Sequence, residues 1–189
     1  IIIYFKNIYY YFMYVNKKET IPIFVLSGIG LSLIYFKFYE NDIKSIAISD
    51  GAGGVGIYCK EWANYLVNHS PNFLFSEEKI NEWFMEISQN FFHHQINNIN
   101  IDNSVKDKFI TTGSFATSLY LWIDYNKKTL YYTGVGDSTV FILRKTIDDY
   151  EPILIYPIDK NEFLDQNPLL LNWRIKNKID KINSIQLQN

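Results

Sequence analysis

Cysteine is nearly missing from this chain: Cys59 is the only one among 189 residues. No intramolecular disulfide can form, which suits a reducing, cytoplasmic compartment. Arginine is scarce too, and none precedes Arg144. The formal net charge is −2, so the basic footprint of a nucleic-acid-binding protein is missing. No uncharged run has the full length of a membrane-spanning helix. Residues 21–36, IPIFVLSGIGLSLIYF, carry no charge but fall short of the ~18–20 residues required. The run holds Pro22, Gly28 and Gly30 beside β-branched residues, so it reads equally as strands or as an irregular segment. No ordered n-region, h-region and cleavage site marks a secretory signal. The chain opens Ile1-Ile2-Ile3 without Met, which reads as a fragment or a processed product. What is present suffices for one domain, because 48% apolar residues over this length can fill a sizeable core.

The hydrophobic period changes along the chain. IKSIAIS (43–49) is a short β-type run ending at a glycine cluster. Ile57, Trp62, Leu66 and Val67 then fall near one helical face, and the pattern predicts a helix to His69. Ser76 is a fitting N-cap for a second helix, with Glu77 and Glu78 in its first turn and Ile80, Phe84, Ile87 and Phe91 at helical spacing. NNINIDNSVKD (97–107) reads as a polar connection. SFATSLYLWIDY (114–125), KTLYYTGV (128–135), STVFILRK (138–145) and EPILIYPI (151–158) read as four successive strands. The short turns between them predict an antiparallel meander. Helices followed by a meander place the chain in the α+β class. The organisation read from this is an apolar N-terminal segment at 1–42, a domain at 43–172 and a polar tail at 173–189.

Gly51-Ala52-Gly53-Gly54-Val55-Gly56 spells G-x-G-x-x-G between a strand and a helix, the arrangement of a dinucleotide-binding turn. Three features oppose that reading. Asp50 stands directly before the first glycine, where its charge would repel a pyrophosphate. The acidic pair Glu77-Glu78, about 20 positions on, opens a helix instead of closing a strand. No further βαβ unit follows. Asp50 instead suits another chemistry. A carboxylate at the end of a buried strand, followed by glycines that expose a carbonyl, can hold a hard divalent cation. Taken alone, it reads equally as an aspartate capping a surface turn.

Two later stretches change the balance. D-G-A-G-G (50–54) is followed by G-S-F-A-T (113–117) leading a strand, and then by V-G-D-S (135–138) between two strands. In this order they resemble the metal-dependent Ser/Thr protein phosphatases of type 2C, over roughly residues 43–172. The resemblance implies a four-layer α-β-β-α sandwich of two antiparallel sheets flanked by helices, here incomplete. It implies Mg2+ or Mn2+, two ions in the complete family site, with Asp50 bridging them and the Gly51 carbonyl serving one. Asp137 matches a family aspartate near the site, implicated in some members in binding a third metal; read from the residues alone it serves equally as a turn residue. Gly136 is expected to take a positive φ at that turn. Ser114 and Thr117 read as packing or turn residues. No side chain acts as nucleophile. The implied reaction is hydrolysis of a phosphomonoester on a phosphoprotein by a metal-activated water, carried out by a monomer. Some members carry a histidine inside the first motif, and here that position is Ala52.

The chain also departs from the family. The phosphate-gripping arginine and acidic pair of the family's first strands are not found; Glu40 and Asp42 lie too close to Asp50. The family's last two motifs, D-G-x-W/F-D and D-N, are missing, and Asp159, Asp165 and Asp180 match neither. These gaps read as a fragment in preference to a degenerate relative. His93 and His94 are adjacent on a helix and cannot share a metal as an i, i+4 pair would. Cys59 reads as a core residue. Two other functions stand beside the phosphatase: a catalytically inactive relative that binds a partner or phosphoprotein, and a nucleotide-binding oxidoreductase using the glycine turn. Residues 1–36 leave a membrane-attached form as the alternative to a free cytoplasmic one.

Overall fold

In β6 (Ser118–Asp124) every residue is buried, so this strand has no solvent face. Leu119, Leu121 and Ile123 point to one apolar cluster, while Tyr120 and Trp122 point to another. The period of two in a strand divides its side chains in this way, and a strand apolar on both sides must lie between two layers. Its neighbours divide likewise. β4 (Ile43–Ser49) sends Ile46 and Ile48 to the first cluster and Ala47 to the second. β7 (Thr129–Val135) sends Leu130 and Tyr132 to the first and Val135 to the second.

The computed structural model describes residues 8–16, 19–26, 33–37, 43–54, 56–71, 76–98, 103–145, 149–156, 169–174, 179 and 182–186. The other strands are β1 (Ile8–Asn16), β2 (Glu19–Leu26), β3 (Leu33–Lys37), β5 (Phe115–Ala116), β8 (Thr139–Lys145), β9 (Tyr150–Tyr156), β10 (Leu171–Asn172) and β11 (Asn183–Gln186). A five-stranded sheet has the order β11-β7-β6-β4-β3, and a four-stranded sheet the order β1-β2-β8-β9. β10 pairs with β5. All described pairings are antiparallel, and the fold is α+β. Val140 and Ile142 of β8 join the first cluster, which therefore fills the space between the two large sheets.

Three helices cover the opposite face of the five-stranded sheet. In α1 (Cys59–Asn68), Trp62, Ala63, Leu66 and Val67 are buried. In α2 (Glu77–Asn98), Ile80, Phe84, Ile87 and Phe91 are buried at steps of four, three and four, the spacing of one helical face. The two helices run antiparallel: Trp83, early in α2, donates its indole N–H to the His69 carbonyl at the end of α1, while Phe91 packs on Trp62. α3 (Asn103–Thr112) lies partly within the stretch expected to be a polar connection. It carries one buried apolar residue, Phe109, and so has almost no amphipathic pattern.

The meander is corrected as well. β6 pairs with β7 and β8 pairs with β9, but β7 and β8 belong to different sheets. V-G-D-S is thus a crossing between sheets and not a hairpin. The segments set apart at either end are also part of the fold. β1 and β2 complete the four-stranded sheet, and β3 and β11 edge the five-stranded one. Trp173 packs on Phe92 and Phe109, and Ile179 is buried among the helices. The uncharged run at 21–36 is strand where it is described, at β2 and β3. Among the described residues no helix is long and apolar enough to cross a membrane.

Candidate metal centre

β4 delivers Asp50 to the end of the five-stranded sheet. The chain continues beside β5, where Gly51 bridges Ala116 and the Ala52 N–H donates to the Phe115 carbonyl at 3.0 Å. Gly51 lies hard against the first turn of α1: a Cβ there would come within 2.5 Å of the Cys59 carbonyl oxygen. Only glycine lets strand and helix approach so closely. Cys59 is buried behind this turn and accepts the Phe115 N–H at 3.4 Å. Burial pushes its thiol above the usual range, which fits the core role expected for it.

Asp50 is only 9% exposed. Burial raises its carboxyl above the ordinary aspartate value, the negative charge of Asp137 raises it further, and a bond from the Gly51 N–H lowers it. Asp137 is half-buried at the crossing from β7 to β8. The structure thus brings Asp50, Gly51 and Asp137 to one end of the sheets, with the two carboxylates close enough to repel. Burying like charges together is unfavourable unless a proton or a cation offsets them.

Hydroxyl groups hold this arrangement, among them Thr117, which the sequence reading took as a packing or turn residue. The Asp50 N–H donates to Thr117 Oγ1 at 3.1 Å, and the Thr117 N–H donates to the Asp50 carbonyl at 2.9 Å. Ser49 Oγ donates to the Thr117 carbonyl at 2.6 Å. Thr117 Oγ1 lies 2.6 Å from Ser138 Oγ, and Thr139 Oγ1 donates to the Asp137 carbonyl at 3.1 Å. Of these, Thr117 and Ser138 lie inside the second and third motifs. Ser114 is structural, donating to the Ile57 carbonyl and accepting the Trp173 indole N–H.

Gly136 has the positive φ expected of it, +102°. A Cβ there would stand 2.7 Å from Thr117 Cγ2. Gly136→Ala should therefore lower stability by more than about 1 kcal/mol, because both the backbone region and the space are denied to it. Thermal melts check this; an unchanged Tm would remove the crossing's tight packing.

The side-chain donors that Asp50 and Asp137 bring are carboxylate oxygens. Hard divalent cations take such ligands and keep several waters, and Asp50 and Asp137 are the residues that could contribute to holding one. Among the described residues no group of three or more His, Cys, Asp or Glu could hold a metal. Glu40, Asp42, Asp159, Asp165 and Asp180 lie outside the described residues. His93 and His94 are exposed on α2. The glycine turn has none of the parallel strand pairing that a dinucleotide site requires, since β4 pairs antiparallel with both β3 and β6. A scan against protein-family models finds no match, and a search of curated proteins finds none.

Proposed function

We propose that this chain carries a metal-dependent Ser/Thr protein phosphatase domain of the type 2C kind, a phosphomonoester hydrolase acting on phosphoproteins. One observation supports the reading: Thr117 Oγ1 accepts the Asp50 N–H and meets Ser138 Oγ, on the residue after Asp137, so the loops of the first and third motifs lie together although far apart in sequence. The antiparallel α+β fold with an apolar layer between two sheets supports it. The complete architecture proposed is the four-layer α-β-β-α sandwich.

Asp50, Asp137 and the Gly51 carbonyl would hold Mg2+ or Mn2+; the second ion of the family site needs carboxylates from outside the described residues. A bound dication supplies Lewis acidity and an activated water for in-line attack on phosphorus. The chain's own part is to aim the two carboxylates and keep Asp50 largely out of bulk water.

Residues 1–189 are expected to hydrolyse p-nitrophenyl phosphate weakly in Mn2+. Adjacent dications repel strongly where water is scarce, and two carboxylates offset little of that. Each missing electrostatic element, the phosphate-gripping arginine included, typically costs about 10²–10³ in rate. What turnover remains should vanish with EDTA; turnover indifferent to EDTA would overturn the reading. Strong Mn2+-dependent turnover lost in Asp50→Asn would assign a further ligand among Glu40, Asp42, Asp159 and Asp165. The small carboxylate set among the described residues favours a second reading, a phosphoprotein-binding module without turnover. A phosphoserine peptide bound but never cleaved would decide for it.

A further inference from the structure

We propose that Thr117 is a positioning residue of the metal centre, its hydroxyl fixing the Asp50 loop against the Asp137 loop. The inference rests on the metal reading for its function, and on geometry for its form.

The two carboxylates reach the site from different parts of the fold. Asp50 follows the end of β4 in the five-stranded sheet, whereas Asp137 lies where the chain leaves that sheet for the four-stranded one. No ladder of backbone bonds joins β7 to β8, because they do not pair. The ladder of β4, β6 and β7 brings both loops to one end of the five-stranded sheet, with Ile48 opposite Leu119 and Ser118 opposite Val135. It stops short of Asp137 and Ser138, so beyond it side chains must tie the crossing to the Asp50 loop.

Thr117 is placed to do this. It is 4% exposed, and Ser138 is 1% exposed, so water competes little for their hydroxyls. Its backbone N–H and its Oγ1 both bond the Asp50 peptide, one giving and one accepting. The same Oγ1 meets Ser138 Oγ, on the residue after Asp137. A hydroxyl can donate once and accept twice, so one oxygen takes the Asp50 N–H and still bonds Ser138. The Thr117 methyl lies under Gly136, where no side chain could fit. Both groups on the Thr117 Cβ thus touch the crossing. Partners outside the ligand set commonly command about 10–100-fold in metal affinity, because they orient the ligands.

Thr117→Val keeps the shape and removes the hydroxyl; Thr117→Ser keeps the hydroxyl and removes the methyl. Two measurements on residues 1–189 test the idea. In Mn2+ titrations, Val should weaken binding by at least about 10-fold, and Ser by no more than about 3-fold. In metal-free chain, amide hydrogen exchange at Asp50 should accelerate in Val and stay protected in Ser. Ser138→Ala cuts the link from the other side and should weaken Mn2+ binding while leaving the Asp50 amide protected. Val with wild-type affinity, or Ser and Val weakening together in step with their loss of Tm, would overturn the proposal. If the wild-type chain binds no Mn2+, the metal reading fails by itself, and an Asp50 amide equally protected in Val and wild type would sink the clamp separately.

Discussion

Asp50→Asn should move the protein in two opposite directions, abolishing Mn2+ binding while raising the melting temperature of the metal-free chain. In the proposed centre the Asp50 carboxylate is the main donor. Removing its charge should weaken Mn2+ by more than about 100-fold, beyond what partners of a metal ligand command. Without metal the same charge is a cost. Burial and the Asp137 charge raise the Asp50 carboxyl above its ordinary value, so the fold favours the protonated form. The stability this group contributes is full below the unfolded value, about 3.9, and is lost as pH rises through the elevated folded value. At neutral pH the ionised group therefore opposes folding, and a neutral amide of the same shape relieves it. Each kcal/mol relieved is worth about 2–4 °C in a domain of this size. The gain should shrink toward acid pH, where the wild-type carboxyl is also neutral. Calorimetric melts at pH 7 and pH 4, beside an isothermal Mn2+ titration, read both effects. A variant that still binds Mn2+ would end the assignment of Asp50, and one less stable at pH 7 would show that its charge is already offset.

Trp62→Ala should produce the largest loss of stability. Trp62 is fully buried and packs against Tyr65, Phe84 and Phe91. Its indole N–H also donates to the Leu171 carbonyl at 3.2 Å, tying the first helix to the short strand β10. Truncation of a buried aromatic typically costs about 3–5 kcal/mol, and a carbonyl left without its donor adds about 1–3 kcal/mol. Against a total of about 5–15 kcal/mol, such a change leaves the chain partly unfolded at room temperature. Met85, 47% exposed on the outer side of α2, is the control: Met85→Ala should stay within about 0.5 kcal/mol. Urea unfolding of both variants reads the contrast. Equal midpoints would mean that the helices do not pack on the sheet as described.

The elements legible in the sequence were those whose burial is one-sided or complete. α2 showed its face through Ile80, Phe84, Ile87 and Phe91, and β6 showed as a strand within SFATSLYLWIDY. α3 was hidden because a helix anchored by Phe109 alone has no period to read. The division of the meander was hidden for another reason. Strands on either side of a sheet crossing have the same alternation as strands of a hairpin, and nothing in Val135-Gly136-Asp137-Ser138 records which neighbour each will pair with. Ile179 and β11 were passed over because β11 alternates half-buried with exposed residues, so its attachment to β7 depends on backbone bonds that any sequence can make. At the site, Asp50 and Asp137 carried motif signals. Thr117 and Ser138 stood inside motifs without any mark of their role, since a hydroxyl that locks two loops and one that closes a turn look alike until the loops are brought together.

The pairing of β2 with β8 sets the order in which the protein can assemble. Ile23 stands opposite Ile142 and Leu26 opposite Thr139, so the four-stranded sheet joins chain segments separated by all three described helices and most of the other sheet. By contrast, β6 with β7 and β8 with β9 are neighbours in sequence. Closing a long loop costs entropy before any contact rewards it, and pairings of large sequence separation slow folding. During refolding the local pairs should gain protection early. Val140 and Ile142, which already face the inner cluster, would wait half-covered for the N-terminal hairpin to arrive, and that interval is when the chain is most prone to stick to its own kind.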